Sequence, residues 1–329
     1  MSFVNDATFA GHAVVAGFAK LFTNDCPVTA LKPIWLLKII KSTRPPGFRL
    51  PSLFTVVSTS LLLAGMLPLL ALSPWPVRPA VRDTLQQVDE SAVPNAIRTV
   101  VLDAGHGGKD PGCHGRNVRE SRITLKLVLA LGRKIKEEMP NVRVIYTRAT
   151  DRFIELAERS AIANRNRADL FISIHCNASP SSKKVYGTET YTMGLHKTVG
   201  NLDVAKRENA VILQEANYQQ TYKGFNPNSP LAHIMLANYQ HAFMGTSIDF
   251  AQKVERQFRN TADRTSHGVK QAGFLVLWRT TMPSVLIETG YLTNPDEEDF
   301  LASTDGQSQI AGAIYKAFAQ YKREIEAAN

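Results

Sequence analysis

Residues 98–112 read RTVVLDAGHGGKDPG. The apolar run from Thr99 closes on Gly105, the composition of a buried strand that enters a loop, and it places His106 in a glycine-rich turn at the strand's C-terminal end. Outward from it, DLFISIH at 169–175 is continuously apolar, as an interior strand covered on both faces must be. NVRVIYTR at 141–148 and PSVLIETG at 283–290 predict two more strands, and the alternating VYGTETYTM at 185–193 another. The apolar run Phe274–Leu277 is read as a further strand. Helical periodicity falls between them: Arg119–Met139, with Ile123, Leu127, Ala130, Leu131 and Ile135 on one face and Pro140 as a stop; Ile154–Ala168; a stretch around Ile248–Thr261; and Gly306–Ala327. Strands alternating with helices predict an α/β layered domain that opens at Arg98.

One interval breaks the rhythm. Between Met193 and Ser247 the chain is too long for a plain connection. NLDVAKRENAVILQEANYQQTY (201–222) predicts a helix, KGFNPNSP a break, and LAHIMLANYQHAF (231–243) a second helical stretch. Residues 194–247 therefore read as a helical insertion.

The N-terminal part has a different character. Leu50 to Val77 holds 28 consecutive uncharged residues, densest at 53–72, preceded by Lys32, Lys38, Lys41, Arg44 and Arg49. About 20 apolar residues suffice to cross a bilayer, and the basic flank keeps its own side in the cytoplasm. Residues 50–73 are thus a signal peptide or membrane anchor, residues 1–49 a cytoplasmic or mis-started segment, residues 74–97 with their four prolines a linker, and 98–329 an exported domain. The net charge of +9 is concentrated in residues 1–82, which carry +6, so it gives no reason to invoke nucleic acid. Three cysteines, Cys26, Cys113 and Cys176, are too few for a disulfide scaffold or a four-cysteine zinc site. Alternation along the strand points Cys176 away from His175, so it reads as a buried small hydrophobe, and Cys113 pairs with it only where geometry allows.

Four chemically capable side chains fall at strand ends or helix starts: His106, Glu120, His175 and Glu288. Two imidazoles and a carboxylate are a ligand set for a catalytic zinc that keeps a position open for water, and a glutamate outside that set can serve as general base. Taken singly, each has a structural role to offer: His175 as a hydrogen-bonded residue, Glu120 as a helix N-terminal acid, Glu288 in a salt bridge, the glycines near His106 as turn formers. No HExxH helix and no GxxxxGK[ST] loop is present. His114 is a second candidate imidazole.

VVLDAGHGGKDPG, RESRITLKLVLALGRKI, TRATDRFIELAERSAIAN, LFISIHCNA and MPSVLIETGYLTN occur in that order. Together they resemble the zinc-dependent N-acetylmuramoyl-L-alanine amidases, the cell-wall amidases of the division type, from about Thr99 to Lys322. The resemblance implies a twisted, mostly parallel sheet with helices on both faces, and one zinc ion held by His106, Glu120 and His175. It implies Glu288 as the catalytic glutamate, acting on the amide between N-acetylmuramic acid and L-alanine in peptidoglycan. Arg279 is a candidate for substrate or oxyanion binding. The insertion is similar to those that cover the site of regulated members and block the zinc with a glutamate. Glu208 and Glu215, seven apart and so on roughly one helix face, are the candidates, with Glu208 favoured. Such a chain is autoinhibited and needs an activator protein to displace the helix. It acts in daughter-cell separation from the periplasm or cell envelope. The competing readings are a non-catalytic peptidoglycan-binding protein, against which the intact four-residue set argues, and a zinc hydrolase for another wall bond.

Overall fold

The computed structural model describes residues 96–237 and 242–328. The expected signal or anchor segment at 50–73, the segment before it and nearly all of the linker lie outside the described residues. Among the described residues no helix is long and apolar enough to cross a membrane.

Six strands form one sheet in the order β2-β1-β3-β6-β4-β5: β1 (Thr99–Ala104), β2 (Arg143–Tyr146), β3 (Leu170–Asn177), β4 (Thr188–Met193), β5 (Ser266–Ala272) and β6 (Ser284–Tyr291). β2, β1, β3 and β6 run parallel; β4 is antiparallel to β6 and carries β5 parallel to itself at the edge. The mostly parallel α/β sheet expected from the sequence is present.

Alternation along the strands distributes side chains to two layers. Val100, Leu102, Ile172, Ile174, Cys176, Val285 and Ile287 pack into one apolar cluster with α1 (Glu120–Glu138), α6 (Met244–Thr261) and α9 (Thr304–Ala327). Val101, Phe171, Tyr191, Met193 and Leu286 face the other way. There they meet α2 (Leu156–Arg165), α7 (Leu275–Trp278) and the insertion, which is built from α3 (Val199–Asn209), a 3-10 turn at Ala210–Gln214, α4 (Tyr218–Thr221) and α5 (Pro230–Ala237). α8 (Pro295–Ala302) links β6 to α9.

Two expectations need correction. Phe274–Leu277 is no strand: Leu275–Trp278 form a single helical turn whose apolar side chains fill the insertion-side core, and the edge strand is the preceding, largely polar Ser266–Ala272. The helix predicted over 201–222 breaks at Asn209, whose side chain leaves the helix to donate to the Gly273 carbonyl and accept from the Leu275 amide. α8, in a stretch to which the sequence reading assigned no element, starts on the Asn294 cap with Pro295 as its first residue, a combination that presets a helix N-terminus.

Candidate metal centre

His106 follows the C-terminal end of β1 and adopts φ +60°, a conformation costly for a side chain with a Cβ. Two contacts hold it there. Its Nδ1 lies 2.7 Å from Asp110 Oδ2, and its carbonyl accepts from Arg159 Nη2 at 2.9 Å. With Nδ1 donating to the carboxylate, Nε2 keeps its lone pair free to ligate. A side chain at Gly105 would collide with the His175 ring, 2.5 Å from its Cε1, so glycine is what lets β1 pass beneath that imidazole.

Glu120 opens α1 fully buried, its Oε2 accepting from the Cys113 amide at 2.8 Å and its Oε1 from the Cys176 amide at 2.9 Å. His175 stands near the end of β3, edge-on to His106 with centroids 4.9 Å apart. Glu208 arrives from the last turn of α3. Its Oε2 lies 3.1 Å from His106 Nε2 and 3.0 Å from His175 Nδ1, and Glu120 Oε1 is 3.1 Å from each of the same nitrogens.

Four donor atoms thus converge, from His106, Glu120, His175 and Glu208, all within 4.8 Å of one another and all on buried residues. A tetrahedral ion with bonds of about 2.0–2.2 Å spaces its ligands about 3.3–3.5 Å apart, close to these separations. His106 Nε2 and Glu208 Oε2 are buried without a hydrogen bond and stand 3.1 Å apart, a pairing that a shared cation would satisfy. The donor set fits a small divalent metal.

Burial alone would lower the pKa of His175, yet the Glu208 carboxylate and the bonds to Glu120 and Glu208 carry it up to about 9. Glu208 is held well below the usual carboxylate range; burial opposes this, and His175 and Arg207 overcome it.

Glu288 is the register partner of His175 on the adjacent parallel strand, fully buried and on the same face. Burial, and then the nearby Glu208 carboxylate, push its pKa well above the ordinary range, with Arg207 opposing. Across the antiparallel pair Glu288 stands opposite Glu189, whose Oε1 accepts from Asn177 Nδ2 at 2.6 Å and from Tyr191 Oη at 2.9 Å, and whose Oε2 pairs with Lys270. Arg207, next to Glu208, reaches Asn177 and Glu288.

The sequence profile of the N-acetylmuramoyl-L-alanine amidases (Amidase_3) matches residues 100–320. The chain belongs to this family. It is 32% identical to the uncharacterized protein YqiI of Bacillus subtilis over 72% of this chain and 91% of that protein. It is 30% identical to the N-acetylmuramoyl-L-alanine amidase AmiA of Escherichia coli K12 over 68% and 76% of the two chains. The crystal structure of an N-acetylmuramoyl-L-alanine amidase from Clostridium difficile 630 superposes with a TM-score of 0.51 at 26% identity, covering 69% of this chain and 97% of that one.

In this amidase the remaining sequence candidates part company. Glu215 does not share a face with Glu208, because the helix has ended at Asn209. Its Oε1 accepts from the Leu156 amide at 2.9 Å and its Oε2 from Tyr222 Oη at 2.8 Å, which pins the insertion to the start of α2. Arg279 is exposed, stacks on Trp278 and donates to the Thr221 carbonyl, outside the cluster. His114 is exposed in the loop before Arg119. Cys113 and Cys176 are free thiols, Cys176 on the face opposite His175 as alternation required. Sequence reasoning passed over Asp110, Arg207, Asn177 and Glu189. It also passed over the buried Arg148 and Arg159, which spend their donors on the Ala104, Gly105 and His106 carbonyls around the metal-side turn.

Proposed function

We propose that this amidase hydrolyses the bond between the lactyl group of N-acetylmuramic acid and L-alanine in peptidoglycan, with zinc as its metal, and that the described conformation is its covered, resting form. The observation that carries the reading is the convergence of His106, Glu120 and His175 on one point beside a buried Glu288, with Glu208 of the insertion on that same point.

A zinc ion at this point supplies Lewis acidity, toward a water and toward the scissile carbonyl. The chain supplies the rest. His106 is oriented by Asp110, Glu120 by two backbone amides, and His175 by the strand that pairs with β6. Glu288 takes the proton of the attacking water and returns it to the alanine nitrogen as the amide breaks. Burial, which disfavours the charged carboxylate, helps Glu288 hold the proton between the two transfers. Glu208 holds the place that water and substrate need, so turnover requires α3 to shift, and loss of the Glu208 contact makes that shift easier. A partner that binds the opened insertion better than the closed one supplies that shift. The apolar run at 53–72 behind its basic flank supports export to the envelope, where peptidoglycan is found; the role in daughter-cell separation rests on the resemblance to the division-type amidases.

Incubation of purified peptidoglycan with the full chain, Glu208→Ala and Glu208→Ala/Glu288→Gln, with zinc content measured on each, tests this. Peptides with a free L-alanine amino terminus should come from Glu208→Ala alone, with zinc in all three. Zinc without release from any form would sink the amidase reading in favour of a non-catalytic wall-binding role.

A further inference from the structure

The guanidinium of Arg207 bridges Glu208 to Asn177, Ala178 and Glu288. Nη2 donates to Asn177 Oδ1 at 3.0 Å and lies 3.4 Å from Glu288 Oε1, and Nη1 donates to the Ala178 carbonyl at 3.3 Å. Nε is 3.0 Å from Glu208 Oε1, so the two residues act as one block.

The receiving oxygens are built in place. Glu189 can only accept, so the Asn177 group facing it at 2.6 Å must be the NH2; a guanidinium can only donate, so the group facing Arg207 must be Oδ1. Asn177 and Glu189 are each 1% exposed, and Lys270 and Tyr191 fix the carboxylate. Asn177 therefore cannot turn its amide over. Beneath α3 lie three acceptors side by side, Asn177 Oδ1, the Ala178 carbonyl and Glu288, and Arg207 brings the donors that meet them.

The substrate brings donors of its own. The scissile amide carries an N–H, the next peptide bond carries another, and the leaving nitrogen must end beside the carboxylate that protonates it. One Arg207 nitrogen lies within reach of both Glu288 and Asn177 Oδ1, which marks where that nitrogen would sit.

We propose that Asn177 Oδ1 accepts the N–H of the scissile amide and the Ala178 carbonyl the following peptide N–H of the stem, and that Arg207 fills both places in the covered chain. This rests on the covered-amidase reading above. α3 then plugs the site with a dipeptide that imitates both halves of the substrate: the Glu208 carboxylate on the metal side and the Arg207 donors on the leaving-group side. Holding the amide N–H also fixes rotation about the reacting bond, so the lone pair that develops on nitrogen faces Glu288 instead of sweeping past it.

The test uses the full chain and two soluble probes, a muramoyl-L-alanyl dipeptide and the matching ester in which oxygen replaces the alanine nitrogen. Arg207→Ala should raise basal turnover of the amide about tenfold or more, as Glu208→Ala does. In the Glu208→Ala background, Asn177→Ala should raise KM for the amide by about 5- to 10-fold more than for the ester, the loss of one hydrogen bond, since the ester lacks the scissile N–H. Retained ester turnover doubles as the check that the site is folded. Asn177→Ser, which keeps a hydroxyl on the Glu189 side, makes the same comparison should the alanine variant fail to fold. Equal losses on both probes overturn the assignment. So does activation by Glu208→Ala without activation by Arg207→Ala. Silence of both single variants would remove the covered-enzyme reading and this one with it.

Discussion

Asp110 Oδ2 stands 2.7 Å from Nδ1 of His106, four residues earlier in the same turn. Removing that carboxylate frees the ring to rotate and lets the proton move to the ligating nitrogen, while every first contact to the metal remains. Asp110→Ala should lower zinc affinity about 10- to 100-fold, read by competition with a chromogenic chelator. An unchanged affinity would mean that the turn itself, not Asp110, sets the ring.

Arg159 spans from α2 to the fully buried Asp103 at 2.8 Å, where Thr147 and Ser173 also donate to the carboxylate. Arg159→Met strands that charge and also strips donors from the Ala104 and His106 carbonyls. A loss of about 3–5 kcal/mol in unfolding free energy follows, with Asp103→Asn/Arg159→Met recovering part of it. Denaturant melts decide; a loss below about 1 kcal/mol would show that water takes over the arginine's role.

Glu298 clamps the loop before α1, accepting from the Arg116, Asn117 and Val118 amides at 2.8, 2.6 and 3.1 Å and from Arg116 Nε at 2.9 Å. Burial alone would raise its pKa, but these bonds to the charged form bring it from 4.5 down to about 2. Because the folded value lies below the unfolded one, the contribution is complete above pH 4.5 and is lost as pH falls toward 2. Glu298→Gln should cost about 2–3 kcal/mol near neutrality, and the gap to the wild-type chain should close across that acid window. A gap that stays constant with pH would place the effect elsewhere.

Glu215 and Glu208 should separate cleanly in experiment. Glu215→Ala removes one bond that fastens the insertion to the start of α2 and one to Tyr222 within the insertion, so stability should fall by about 1–3 kcal/mol with zinc affinity unchanged. A drop in zinc affinity in that variant would contradict the placement of its carboxylate.

The sequence legibility of this chain followed burial. β1, β3 and β6 are continuous apolar runs because both their faces are covered, and their ends announced His106, His175 and Glu288. β5 escaped notice for the opposite reason: it is an edge strand with polar residues and a left-handed Gly268, while the apolar FLVL beside it owes its character to core contacts made as a helical turn. Glu208 was legible only through resemblance to a family, since an acid on a helix ordinarily faces water. Arg207 and Glu189 were not legible at all, because a charged residue becomes a site residue only when elements far apart in sequence close around it. Asn209 ended the helix through a contact 64 residues away, which no local pattern encodes.

The insertion shares one apolar cluster with the sheet: Val204, Ala205, Ile212 and Leu236 pack in the same layer as Tyr191, Phe274 and Leu286. Lifting the cover therefore bares hydrocarbon to water, a cost of about 25 cal/mol for each Å² exposed. An opened chain left alone is pulled shut again by solvent. Under the covered-form proposal, a lytic enzyme built this way behaves as a sprung latch: it needs no protease or chemical mark to be silenced, and cutting stops when whatever holds it open departs.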